Sequence, residues 1–158
     1  MPKRTAGSST IVLAMTCLCA LQGCSRYADP SVAVERITLT DRSAEAAVLD
    51  IELAATNTNE VALPLRTVEY TLRLDGDVVF RGTRSAEATL RRVGTQPIVL
   101  PAAIRLDRHP APASGMRYRL TGRMKYVTPG EIAQRLFDAG VRRPTVRFAQ
   151  EGVLELDG

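Results

Sequence analysis

Alternation is the dominant pattern beyond residue 30. Val68, Tyr70, Leu72 and Leu74 share one parity while Thr67, Glu69, Thr71 and Arg73 take the other, the period-two signature of a half-buried strand. Asp75-Gly76 follows at once, the preferred dipeptide of a two-residue hairpin, and predicts a return strand over 77–82 through Val78 and Phe80. Earlier, Val32 and Val34 lie on one parity and Ile37 and Leu39 on the other, so residues 31–40 read as a strand with a bulge near Glu35 and Arg36. Residues 44–56 carry two competing patterns. Ala44, Ala47, Val48 and Ile51 fall at helical spacing, whereas Leu49, Ile51, Leu53 and Ala55 alternate against Asp50 and Glu52. Alternation favours a strand, closed by the turn formers Asn57-Thr58-Asn59.

Further along, residues 84–92 form a weakly patterned strand, 93–96 a turn, and 97–106 an edge strand interrupted by Pro97 and Pro101. The loop 107–115 holds two prolines and a glycine, and Met116, Tyr118, Leu120 and Met124 then form the apolar side of another strand. One helix is predicted. Thr128-Pro129-Gly130-Glu131 reads as a capping box with proline in the first turn, Ile132, Ala133, Leu136 and Phe137 make an apolar stripe, and Gly140 supplies the stop. The last strand covers 145–156 with a bend at Glu151-Gly152. About seven short strands and a single helix before the last of them predict a mainly β protein, an antiparallel β-sandwich of immunoglobulin/fibronectin-like type. The low aromatic content, 4% with no tryptophan, speaks against a true immunoglobulin domain.

The first residues follow a different logic. Lys3 and Arg4 precede an apolar run from Ile11 to Leu21, which has the anatomy of a signal peptide and is too short for a bilayer of about 30 Å. The run ends in Leu21-Gln22-Gly23-Cys24, which resembles the lipobox of bacterial lipoproteins. That resemblance implies cleavage after residue 23, diacylglyceryl and acyl groups on Cys24, and a location at a bacterial membrane. Ser25, rather than aspartate, follows the cysteine and points to the outer membrane, facing the periplasm. One acyl chain binds only marginally, so a stable anchor takes at least two. The expected organisation is a lipoprotein signal peptide at 1–23, a lipidated tether at 24–30 and one domain at 31–158.

Processing changes the composition. Loss of Lys3 and Arg4 lowers the formal charge from +4 to +2, which removes the electrostatic case for nucleic acid. Cys17 and Cys19 leave with the signal, so Cys24 is the sole remaining cysteine and no internal disulfide can form. A single domain of this length buries enough apolar surface to do without one.

Three segments carry a second resemblance. A-A-T-N-T-N-E-V-A-L-P-L at 54–65, Y-T-L-R-L-D-G-D-V-V-F-R-G at 70–82 and V-R-F-A-Q-E-G-V-L-E-L at 146–156 are similar to the strand and turn motifs of the water stress and hypersensitive response domain of type 2 late embryogenesis abundant proteins. Thr58 stands where that family usually has proline. The resemblance implies a seven-stranded sandwich with a helix before the last strand and a non-catalytic role in desiccation or envelope stress, by contact with membrane or protein surfaces. A structural accessory lipoprotein of an envelope complex, adding a partner at the edge formed by residues 97–106, is the alternative reading.

Chemistry is sparse. His109, the only histidine, lies in a polar loop without companion ligands, Asp75-Gly76-Asp77 fits a turn better than a calcium loop, and no nucleophile has an evident base. Neither enzyme activity, a cofactor, a metal nor a small-molecule substrate is predicted. The one surface feature is basic: Arg117, Arg119, Arg123 and Lys125 share the parity opposite Met116 and Tyr118. They would project either as a solvated face paired with carboxylates such as Glu69, or as a contact for anionic headgroups or an acidic partner.

Overall fold

The computed structural model describes residues 27–86 and 88–156; residues 1–23 and Cys24 lie outside them. Eight strands and one helix follow in the order β1 Ser31–Arg42, β2 Ala46–Asn57, β3 Leu63–Leu74, β4 Asp77–Ser85, β5 Thr89–Leu90, β6 Gly94–Arg105, β7 Arg117–Tyr126, α1 Glu131–Asp138 and β8 Thr145–Val153. They form two antiparallel sheets, β1-β2-β6 and β4-β3-β7-β8, with the two-residue β5 beside the start of β3.

The strand pattern of residues 44–56 wins over the helical one because the sheet can bury a whole parity. Ala47, Leu49, Ile51, Leu53 and Ala55 have no exposed surface, while their neighbours are half-buried. Facing them are Val68, Tyr70, Leu72 and Leu74 of β3 and Leu120 and Met124 of β7, while Leu100, Ala102 and Ile104 of β6 lie beside them in the same sheet. Each such Leu or Ile contributes about 1.5–3 kcal/mol on burial, more than the helix propensity of the alanines can offset.

The sandwich is nearly closed at its sides, since β6 runs beside β4 and β1 beside β8. Two side chains bridge the gaps. Gln150 of β8 accepts from the Val34 amide at 2.7 Å and donates to the Val34 carbonyl at 3.3 Å, replacing a missing strand partner on β1. The Tyr70 hydroxyl donates to the Pro101 carbonyl at 2.5 Å and ties β3 to β6.

Several boundaries differ from expectation. The bulge of β1 falls at Glu35 as predicted, and a second follows between Leu39 and Asp41. Asp75 and Gly76 both take positive φ, as the predicted tight hairpin requires. A bulge between Leu72 and Arg73 in the β3–β4 ladder then buries Val79 in place of Val78. The turn expected at 93–96 shrinks to Val93, because Gly94 to Gln96 pair with Asn57 to Ala55 of β2. The bend expected at Glu151-Gly152 is absent: both residues stay in register with Arg119 and Tyr118, and the strand ends at Val153.

The helix also differs. No capping box forms; Gly130, at φ 117°, is the N-cap and the helix starts only at Glu131, so Thr128 is left outside the first turn. Gly140 does end it, at φ 74°, with its amide donating to Phe137. No helical residue is fully buried, and Ile132, expected in the packed stripe, is 76% exposed. Eight residues give little more than two turns, too few to bury a four-residue stripe, and Ala133, Leu136 and Phe137 are only half-buried.

Candidate functional site

The outer face of the larger sheet is the most distinctive polar surface. Arg117, Arg119, Arg123 and Lys125 all lie on β7 with their parity turned away from the core, Leu120 and Met124 being buried. Register brings neighbours to this face that the sequence alone does not associate with it. Arg73 of β3 stands opposite Arg119, Arg147 of β8 opposite Arg123, and Arg81 of β4 opposite Thr71. Seven basic side chains therefore share the face with only two carboxylates at paired positions, Glu69 and Glu151. The alternation of each strand was the available signal for Arg73, Arg81 and Arg147; which strands adjoin was not.

Those two carboxylates are placed to neutralise part of the stripe. Arg123 Nε donates to Glu69 Oε2 at 2.8 Å, Lys125 Nζ lies 3.3 Å from Glu69 Oε1, and Arg119 Nε lies 3.0 Å from Glu151. The hydrogen bond from Arg123, helped by Lys125, holds the Glu69 carboxyl below its ordinary range against a smaller opposing effect of burial. Arg73 and Arg119 directly opposed, and Arg123 and Arg147 likewise, are unfavourable pairs that the carboxylates relieve. Arg117 and Arg147 form no ion pair with a described carboxylate, so the face keeps a basic excess able to meet an anionic surface.

His109 is half-exposed in the β6–β7 loop, where its amide donates to Arg105. Among the described residues no group of three or more His, Cys, Asp or Glu could hold a metal ion, and no helix is long and apolar enough to cross a membrane. Asn57, the one buried polar residue among those described, donates to the carbonyls of Val61 and Arg91 and accepts from Asn59. It knots the end of β2 to the loop before β3 and to the residue that follows β5.

Residues 52–152 match the family model for late embryogenesis abundant protein. The chain belongs to the late embryogenesis abundant protein family. The matched span runs from mid-β2 to the end of β8 and so contains the whole basic face. Two solved structures share the fold of this late embryogenesis abundant domain. One is a solution structure described as a late embryogenesis abundant protein, 14% identical, covering 80% of this chain and 70% of its own with a TM-score of 0.60. The other, from Arabidopsis thaliana, is 13% identical, covers 84% of this chain and 87% of its own, and has a TM-score of 0.61. At these identities the likeness describes the fold alone. No curated protein matches the sequence.

Proposed function

We propose that this late embryogenesis abundant domain is of the water stress and hypersensitive response type and acts as a lipid-anchored, extracytoplasmic protein of desiccation or envelope stress. It works without catalysis, through contact with membrane or protein surfaces at the outer membrane's periplasmic side. The observation that carries this reading is the family match over 52–152 on a chain whose Leu21-Gln22-Gly23-Cys24 motif resembles a lipobox. The basic face around Arg117, Arg119, Arg123 and Lys125 supports a contact role. An acyl anchor of two or more chains would confine that face to the neighbourhood of the bilayer.

Metabolic labelling with a radioactive fatty acid tests the anchor. Label is expected on the wild-type chain in the membrane fraction and absent from Cys24→Ala, which should leave that fraction. Unlabelled wild-type protein recovered away from membranes would end the reading. Drying survival of a deletion strain tests the role, with a lower survival than the parent expected. Recovery of a stoichiometric envelope partner after crosslinking, with unchanged drying survival, would instead favour the accessory role.

A further inference from the structure

We infer that the end of the sandwich from which α1 projects is a lipid-facing surface, seated on the headgroup region of an anionic bilayer. This rests on the anchor reading for its orientation and for the choice of lipid over protein, while the surface chemistry of this end stands apart from it. Strand directions place the start of β1, the end of β2, the starts of β3 and β6, the end of β7 and the start of β8 together at this end. The chain arrives here: Ala28 exchanges hydrogen bonds with Asn59 at 2.7 and 2.8 Å, and Asp29 accepts from the Tyr126 hydroxyl. Cys24 precedes Tyr27 by three residues, which can span at most about 11 Å. Acyl groups on Cys24 would therefore bring this end, and not the Asp75-Gly76 hairpin at the other, to the membrane.

Its surface chemistry fits. Val93, Ile132 and Val141 are 67%, 76% and 73% exposed, and all three belong to this end: Val93 bonds to Asn59, Ile132 lies in the first turn of α1, and Val141 follows its last. A groove of about 630 Å³ at the start of α1, on the same end, has the apolar residues Ala62, Pro64, Val127 and Pro129 in its lining. Isolated exposed apolar residues need no explanation, but three at one end with such a groove form a cluster of the sort that marks an interaction surface. Around them stand Arg91, Arg92, Arg135, Arg142 and Arg143, all exposed, none in an ion pair with a described carboxylate. Arg119, Arg123 and Lys125 on the sheet face are, by contrast, already paired. Asp29, Glu60, Glu131 and Asp138 share this end and temper its charge; Asp29 accepts from Tyr126 and lines a recess with Arg142 and Arg143, and Asp138 accepts from Gln134. Apolar side chains ringed by arginines are the composition of a segment that lies in a membrane interface, apolar atoms in the acyl boundary and guanidinium groups at the phosphates. A protein partner would meet the same cluster, but the covalent approach of the chain at this end favours lipid.

Hydrogen–deuterium exchange on the full protein reconstituted in vesicles tests this. Amides of residues 131–143 and 91–94 are expected to exchange several-fold more slowly in vesicles rich in phosphatidylglycerol than in phosphatidylcholine alone, while the 75–77 hairpin is unaffected. Ile132→Ser with Val141→Ser should abolish the protection; both side chains are exposed, so the fold stays intact. Arg142→Gln with Arg143→Gln should weaken affinity for the anionic vesicles about fivefold per charge. Equal exchange in both lipids with the variants matching the parent overturns the inference, as does protection that rises with protein density at fixed lipid composition, which would mark contact between copies. Fatty-acid labelling reads the anchor independently: label without protection sinks this surface alone, and protection without label sinks the anchor alone.

Discussion

Glu69 shows how one side chain divides structure from surface chemistry. Its carboxylate serves Arg123 and Lys125 from the neighbouring strand, and the Arg123 hydrogen bond is the main reason its acidity is increased. Because the folded state depresses this group, its contribution to stability is present above the ordinary carboxylate range and is lost as pH falls through the depressed value. NMR titration should find the Glu69 midpoint below that of an exposed glutamate, and Arg123→Gln should raise it further than Lys125→Gln. Equal effects of the two substitutions would contradict the assigned order. The same pairing explains a limit of sequence reading at this scale. That Arg123 and Glu69 are both outward-facing is visible in their parities, but their contact depends on the register that sets them opposite one another.

At the scale of elements, the inner face of the larger sheet is organised by aromatic rings lying over glycines. Gly122 of β7 sits between Tyr70 and Phe148 on the adjoining strands, and a Cβ there would come within 2.8 Å of both Phe148 Cε1 and the Glu69 carbonyl. An alanine in a strand ordinarily gains up to about 1 kcal/mol over glycine, whereas overpacking a fitted core costs about 1–3 kcal/mol. The second effect wins, because one of the two obstructions is backbone and cannot rotate away. Gly122→Ala is therefore expected to lower stability by about 2 kcal/mol in urea denaturation, and Phe148→Leu in the same chain should recover only part of the loss. An unchanged midpoint would show that the strand relaxes at no cost. Alternation alone marks Gly122 as an inward position, yet nothing in its own strand shows that a ring from β8 fills the space. The helix teaches the same lesson in reverse. Its apolar stripe is legible, but how deeply that stripe is buried depends on the surface beneath it, and Ile132 proves to face outward.

Across the whole molecule, the two sheets are held by apolar packing and by few polar ties, of which the Tyr70 hydroxyl to Pro101 is the most enclosed. Burial pushes the Tyr70 phenol up to about 12. A folded value above the unfolded one means that its contribution is complete below about pH 10 and is lost as pH rises towards 12. Tyr70→Phe should cost about 1 kcal/mol at neutral pH, from one hydrogen bond lost, and should flatten the fall in stability between pH 10 and 12; urea midpoints across that range provide the check. An equally steep alkaline fall in the variant would assign it to another group, Tyr126 being the next candidate because burial and Asp29 raise it too. The sequence by itself determined the alternating parities, the tight hairpin, the helix before the last strand and hence the sandwich class, because side-chain period and turn chemistry are local properties of the chain. Tertiary structure alone decided the strand order, which assembles seven basic residues on one face, and the common end where the chain's arrival, exposed valines and isoleucine, and arginines in no ion pair with a described carboxylate meet. Those depend on which strands pair across long separations, and pairing is settled by burial summed over the whole core.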